Sequence, residues 1–533
     1  MLRSMTKHTG SLAKFMLRRD RIRIPLWLIG LTFFTFIVPL AFDQMYESQH
    51  ERSALAETMN NPAMIAMVGH GNLDNYTTGA MTAHNMLLMT AVVVGLMNIL
   101  LVIRHTRADE EDGRLELLRS LPVGRLANLN AALAVLIGTN ILLALIIGFG
   151  LYALNIESMD LEGSLLYGAA LGGAGLVFAG AAAVFAQLSE NSRSATGYSI
   201  AVLLIAYLMR AVGDVSNDAL SLLSPLGWVT RTEAYSNNVW QPVLLLLIIS
   251  IVLFILANYF NAIRDLGAGF IPAKPGKRNA SPLLQNPLGL AFRLQRTGMI
   301  AWGIGMFVLG ISYGSVMGDL ESFFEGNEML EQMLIGVEGY SLTEQFIPML
   351  MLVMSILATV PPVMAMMKLI SEEKKHRVEH LLARTVSRTK LIGSYVLLAV
   401  INGFVMISLA AIGLWSAADA VMEDGFSFSA IYGAALAYYP AMLVMIGGAV
   451  FLIGCLPKLT GVIWFYIAYS FIVLYLGGLF QFPEWVGKLS PFGYIPQLPI
   501  ESLEPLPVFF LLMIALFLSA FGFKGYRMRD IEG

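Results

Sequence analysis

The chain alternates long apolar runs with short charged stretches. Twelve runs reach the length of about 20 residues that a helix needs to cross the hydrocarbon core. They fall at 24–42, 83–103, 127–153, 164–187, 195–213 and 241–260, then at 297–317, 346–369, 391–418, 429–455, 459–479 and 506–523. Of the 533 residues 57% are hydrophobic and only 13% charged, against about a quarter charged in a soluble protein. So little charge cannot cover soluble domains with polar surface. The expected fold is an all-α polytopic membrane protein with twelve transmembrane helices. The run at 24–42 is longer than a signal-peptide core. It follows Arg3, Lys7, Lys14, Arg18, Arg19, Arg21 and Arg23, so it is expected to be a first span with a basic flank.

Charge sets the expected orientation. With both termini in the cytoplasm, all but four of the 34 Lys and Arg residues fall in cytoplasmic segments, the exceptions being Arg52, Arg210, Arg231 and Lys488. This follows the positive-inside rule. The long segments after spans one and seven are then extracellular and acidic. One carries Asp43, Glu47, Glu51, Glu57 and Asp74; the other carries Asp319, Glu321, Glu325, Glu328, Glu331, Glu338 and Glu344. A net charge of −3 gives no reason to expect nucleic acid as a partner, and the lone Cys455 excludes an intramolecular disulfide.

The two halves of the chain repeat. RLELLRSLPVGR (Arg114–Arg125) aligns without gaps to RVEHLLARTVSR (Arg377–Arg388), sharing Arg114/Arg377, Glu116/Glu379, Leu118/Leu381, Val123/Val386 and Arg125/Arg388. Just upstream, Asp109-Glu110 meets Glu372-Glu373. Ser224-Pro225-Leu226-Gly227-Trp228 meets Ser490-Pro491-Phe492-Gly493-Tyr494, both between the fifth and sixth spans of their half. Arg18–Trp27 meets Arg293–Trp302, both entering a first span. An even number of spans per half gives two parallel six-helix repeats (6+6), expected to be related by an axis along the membrane normal. The expected domains are a first half at 1–260, a cytoplasmic linker at 261–294 and a second half at 295–533. The linker carries Pro272, Pro275, Pro282, Pro287 and the basic Lys274, Lys277 and Arg278, and loose order is expected there.

The loop between spans two and three is the densest part of the repeat. Leu115, Leu118 and Leu121 at i, i+3, i+6 predict an amphipathic helix, and Glu110 with Arg114 predicts an i, i+4 pair. Pro122 and Gly124 stop it before span three. A short rigid helix tied to two spans transmits force from the cytoplasm; the alternative is a helix resting on headgroups.

On these residues the chain resembles the permeases of ABC-2 type transporters in their fused twelve-span form, most closely the Gram-positive polyketide-antibiotic (tetronasin-type) exporter permeases. The stretches that carry the resemblance are Ala108–Arg125, Ser371–Arg388 and the paired SPLGW and SPFGY, and it extends over nearly the whole chain. It implies a bacterial plasma-membrane permease for hydrophobic or amphipathic compounds. It further implies coupling helices that dock on a separate ABC ATPase, through Asp109, Glu110, Arg114, Glu116 and Arg125 in one half and Glu372, Glu373, Arg377, Glu379 and Arg388 in the other. The SPLGW and SPFGY segments correspond to extracellular re-entrant elements, and the stretch before span one to a connecting helix. The second and fifth spans of each half would line the substrate pathway. Candidates there are Met86, Met89, Asn98, Tyr198, Met349, Met354 and Tyr469, since methionine suits promiscuous apolar surfaces. The second loop departs from the first: Glu111, Asp112 and Gly113 become Lys374, Lys375 and His376, so unequal docking is expected.

The chain carries no P-loop of the form GxxxxGK[ST]; neither Gly276-Lys277 nor Gly487-Lys488 is followed by Ser or Thr. The expectation is a transport subunit that is not itself an enzyme and holds no cofactor, with ATP and Mg bound by two partner ATPase subunits. A secondary, major-facilitator-like drug transporter is the alternative, because it too has parallel six-plus-six halves. A third reading, a hydrolase, rests on His376-Arg377-Val378-Glu379-His380, which matches a zinc pattern. The first repeat lacks both histidines, having Gly113 and Leu117 at those positions, so no metal is expected. Gly310, Gly314 and Gly318, like Gly168 and Gly172, recur every four residues and predict close helix packing. Arg210 and Asp214 predict a structural i, i+4 pair, and Asn98, Asn140 and Asn402 are polar groups at membrane depth.

Overall fold

A computed structural model describes residues 5–46, 48–60, 62–73, 75–272, 279–315, 317–319, 342–383, 386–422, 425–475, 483–501 and 505–530. Glu47, Asp74, Glu321, Glu325, Glu328, Glu331, Glu338, Lys274, Pro275, Lys277 and Arg278 lie outside them, as do residues 476–479 of the expected span eleven. Among the described residues the architecture is all helical, with one isolated bridge between Ser189 and Ile271. Eleven helices there are long and apolar enough to cross a membrane, and Val462–Tyr475 is a shorter apolar one. The chain divides into two compact units, Met1–Gly276 and Lys277–Gly533.

In the first unit a short helix, Thr9–Arg19, precedes span one (Arg23–Met45) and buries Leu12 and Met16. Spans two to six are Thr78–Ile103, Ala127–Ala153, Leu161–Leu188, Ser192–Ser216 and Gln241–Ile263. Span four is at the centre of this unit and packs on spans two, three and six. It can do so because its face is small: a Cβ on Gly168 would lie 2.2 Å from the Ala144 carbonyl oxygen in span three. Between spans one and two the chain forms helices Gln49–Met59 and Pro62–Val68 rather than an open loop.

In the second unit span seven is one continuous helix, Pro287–Gly314, without the break that separates the first unit's leading helix from span one. Spans eight and nine are Leu342–Glu373 and Arg388–Val421. Span ten runs Phe428–Ala437 and Tyr439–Cys455, interrupted at Tyr438 before Pro440. Span twelve is Pro505–Met528. Spans seven and nine approach closely through glycine. A Cβ on Gly310 would meet the Ala410 oxygen at 2.2 Å, one on Gly314 the Leu414 oxygen at 2.3 Å, and one on Gly413 the Phe307 oxygen at 2.3 Å.

The expected loose linker is in part ordered. After span six the chain turns back at Gly267, whose φ is +78°, and the Ile271 N–H donates to the Leu188 carbonyl at 2.8 Å. Pro282–Gln285 forms one 3-10 turn before span seven.

Candidate functional site

The loop after span two does not continue the span as one helix. Span two passes through a π-helical turn at Arg104–Ala108 and one turn at Asp109–Glu111, then breaks at Gly113, which adopts a left-handed φ of +71°. A six-residue helix, Arg114–Arg119, follows. The break changes the expected pairing. Arg114 Nη1 binds Asp109 Oδ1 at 2.9 Å and its Nη2 lies 3.4 Å from Asp112, so the predicted bond to Glu110 is not made. With Gly113 left-handed, residues 110 and 114 no longer share a helix face. Leu115 is buried and Leu118 half-buried as the amphipathic pattern requires, but Leu121 lies past the helix end and is 55% exposed.

Glu110 instead turns inward and is held from three sides. Arg264, just after span six, grips it with two parallel bonds, Nη1 to Oε1 at 2.9 Å and Nη2 to Oε2 at 2.8 Å. The Gly267 N–H donates to Oε1 at 2.7 Å, and Arg107 Nη1 approaches it at 3.1 Å. Such fork-to-fork pairing fixes orientation as well as energy. Arg125, at the entry to span three, donates to the Arg264 carbonyl. One arginine therefore ties together the ends of spans two and six and the start of span three.

The second unit repeats this clamp. Glu373 accepts from Arg529 Nη2 at 2.6 Å and from the Tyr526 hydroxyl at 2.6 Å. Arg388 Nη1 donates to the Arg529 carbonyl at 2.6 Å and to that of Arg527 at 3.1 Å. Glu372 takes the part of Asp109, bound by Arg377 at 3.3 Å and Lys368 at 3.0 Å. His376 is left-handed like Gly113, with φ 55°, and precedes the six-residue helix Arg377–Leu382. Because His376 stands before that helix, it and His380 do not share a helical turn. His376 Nδ1 pairs with Glu379 at 2.9 Å.

The ten residues expected to act in coupling thus fall into two sets. Asp109, Glu110, Glu372 and Glu373 are buried fasteners, and Arg125 and Arg388 tie the loop to the last span. Arg114, Glu116, Arg377 and Glu379 are exposed. The first unit adds a second fastener. Asp20 binds His105 Nε2 at 2.6 Å, Arg19 reaches Asp109 Oδ2 at 2.7 Å, and Asn128 Nδ2 donates to the His105 carbonyl at 2.9 Å. The Gly124 and Leu126 N–H groups donate to the carbonyls of Lys7 and Met5. Asp20, Arg264, Tyr526 and Arg529 were not singled out from the sequence, and Arg19 was read only as part of the basic flank of span one. The available signal was an arginine shortly after the last span of each half.

The paired SPLGW and SPFGY segments have matching geometry. Ser224 and Ser490 are buried N-caps, accepting from Leu226 N–H at 3.2 Å and Phe492 N–H at 3.4 Å. Ser224 also donates to the Ala206 carbonyl at 2.6 Å, and Ser490 to Ser470 Oγ at 2.9 Å. Pro225 and Pro491 start the short turns. Gly227 and Gly493 allow close approach, since a Cβ would sit 2.2 Å from the Ser221 oxygen and 2.4 Å from the Gly487 oxygen. The Trp228 indole donates to the Leu222 carbonyl, and Tyr494 is exposed.

The pathway candidates scatter. Met86, Met89, Met349 and Tyr469 are half-buried and Tyr198 is exposed, whereas Met354 is fully buried in the second unit's core. Asn98 is fully buried and exchanges two bonds with Asn140, at 3.1 and 2.7 Å. Arg210 pairs with Asp214 at 3.2 Å and donates to the carbonyls of Ile65, Ala66 and Met67, fastening helix Pro62–Val68 to span five.

A family model described as "Multidrug efflux system permease Rv1217c, C-terminal domain" matches residues 10–260 and 284–527. The multidrug efflux system permease protein Rv1217c of Mycobacterium tuberculosis is 34% identical over 535 residues, which cover 98% of this chain and 95% of that relative.

Proposed function

The chain belongs to the multidrug efflux permease family of Rv1217c, and from that premise we propose that it is the membrane-spanning subunit of an ATP-driven exporter of the ABC-2 type. Its cargo is hydrophobic or amphipathic compounds such as antibiotics. Hydrolysis of ATP, with Mg, belongs to a separate ATPase, two copies of which serve one permease chain. The observation that carries this reading is the clamped loop, built twice: Arg114–Arg119 and Arg377–Leu382 are each rigidly anchored to the ends of two other spans while exposing charged side chains. A lever needs stiff anchorage and a free contact face, and both are present. The contact residues are Arg114, Glu116, Arg377 and Glu379, in the cytoplasm on the positive-inside rule. Exposed Glu111 and Asp112 in the first loop are replaced by exposed Lys374 and Lys375 at the aligned positions of the second, so the two ATPase copies are gripped unequally. Half-buried and exposed side chains on spans two and five, Met86, Met89 and Tyr198 among them, are assigned to the substrate route.

Affinity purification of the tagged chain from its native membranes tests the reading. A soluble polypeptide with a P-loop should co-purify, and the substitutions Glu116→Lys and Glu379→Lys together should release it. Purification without an ATPase, alongside drug efflux driven by a proton gradient alone, would replace the reading with the secondary-transporter alternative.

A further inference from the structure

Beside the first clamp lies a small pocket, partly open at its mouth, that the coupling role does not use. Its lining includes Arg119, Arg125, Arg264, Asn128, Asn261 and Gln187. Three arginines border it, and Glu110 is the one acid in the lining. Glu110 is already committed to Arg264, Arg107 and the Gly267 N–H. The wall therefore carries surplus positive charge.

Two polar atoms in this wall have no partner. Arg264 is 94% buried, at 6% relative exposure, and its Nε is without an acceptor; Gln187, at 2%, has an unpartnered Oε1. A buried N–H left unpaired is destabilising, and an acceptor in the pocket would satisfy it. Partial burial, and then the charge of Arg125 beside it, push the Arg119 pKa down from the usual guanidinium value.

The second half shows that the fold does not require this pocket. Gapless alignment puts Ile370, Leu382 and Leu391 at the positions of Arg107, Arg119 and Asn128. Three residues before the clamp arginine, Asn261 is matched by Tyr526, which is fully buried and bonds Glu373. The clamp is kept while the polar pocket is replaced by apolar side chains and filled by a ring.

We propose that the first-half pocket binds a phosphate group, supplied by the headgroup of an anionic phospholipid where spans two, three and six end. Basic pockets between transmembrane helices suit such headgroups. The Arg119 and Arg125 guanidiniums take the phosphate oxygens, and the Arg264 Nε–H supplies a buried donor. Gln187 Oε1 accepts from a headgroup hydroxyl. This proposal is independent of how transport is energised.

The test uses the purified full-length chain, with lipid retention read by native mass spectrometry and stability by thermal unfolding. Phosphatidylglycerol is compared with phosphatidylcholine, and inorganic phosphate with chloride at matched ionic strength. The wild-type chain should retain phosphatidylglycerol and unfold at a higher temperature in it. Arg119→Ala should weaken retention by about fivefold, the contribution of one arginine near an anionic headgroup. Asn261→Tyr, which copies the second half, should abolish it with the chain still folded. Protection by inorganic phosphate equal to that by the lipid would keep the phosphate site and assign its source to a soluble anion. Retention unchanged in both variants, or no preference for phosphatidylglycerol over phosphatidylcholine, would overturn the proposal.

Discussion

At the scale of residues, Glu110 and Glu116 separate anchorage from contact. They lie six positions apart in one conspicuous acidic loop, yet one is a buried fastener and the other is exposed. Removing one partner of a buried ion pair costs about 3–5 kcal/mol, because the other charge is left without compensation. Glu110→Gln and Arg264→Ala should each lower the unfolding temperature of the purified chain markedly. Glu116→Lys should leave unfolding unchanged and impair drug-stimulated ATP hydrolysis in the complex. Equal thermal behaviour of the Glu110 and Glu116 variants would contradict the division. The sequence marked the loop as important through its repetition, but not which way each acid points. The partner of Glu110 is 154 residues away, and local spacing suggested Arg114. Gly113 was the overlooked local signal. Its counterpart His376 carries no such signal, since only its φ of 55° reveals the same break.

A second residue pair separates the halves. Asn98 and Asn140 satisfy each other in the first unit, while Asn402 in span nine is fully buried with neither side-chain polar atom partnered. Asn140→Leu leaves the buried Asn98 Oδ1 without its donor, while Asn98 Nδ2 keeps its bond to the Val94 carbonyl, and should destabilise by about 1–3 kcal/mol. Asn402→Leu removes an unsatisfied group and should leave stability equal or higher. Thermal unfolding of the two variants side by side reads the sign of each change.

At the scale of elements, the spans were legible because length and hydropathy are what a bilayer demands of them. Their ends extended further than the apolar runs: span nine covers Arg388–Val421 where the apolar pattern gives 391–418. The polar residues that lengthen it remain helical because helix satisfies their backbone. Glycine spacing also carried through to structure, since Gly310, Gly314 and Gly413 hold spans seven and nine at backbone contact. Gly310→Val would press a side chain onto the Ala410 oxygen and cost about 1–3 kcal/mol by overpacking. Reduced yield of folded protein on size-exclusion chromatography is the expected readout, with Gly305→Val, whose Cβ would meet nothing within 4 Å, as the tolerated control. The start of the segment after span six is more ordered than its composition suggests. Its prolines and basic residues suggested a loose linker, whereas Arg264, Gly267 and Ile271 are bonded to Glu110 and Leu188. Those bonds join residues far apart in the chain, which composition does not reveal.

At the scale of the whole molecule, one helical plan occurs twice, with the same clamp and unlike surroundings. The first unit supplements its clamp with the Asp20–His105 and Arg19–Asp109 pairs and keeps a basic pocket; the second fills the corresponding place with Tyr526. Unequal charge on the exposed loops then implies unequal duty at the proposed ATPase contacts. The most direct test is transport of a fluorescent amphipathic drug in proteoliposomes holding the permease and its co-purified ATPase. Transport should require ATP, persist when the proton gradient is collapsed, and fail when Glu116→Lys and Glu379→Lys are combined. Transport that continues without ATP and stops when the proton gradient is collapsed would contradict the assignment.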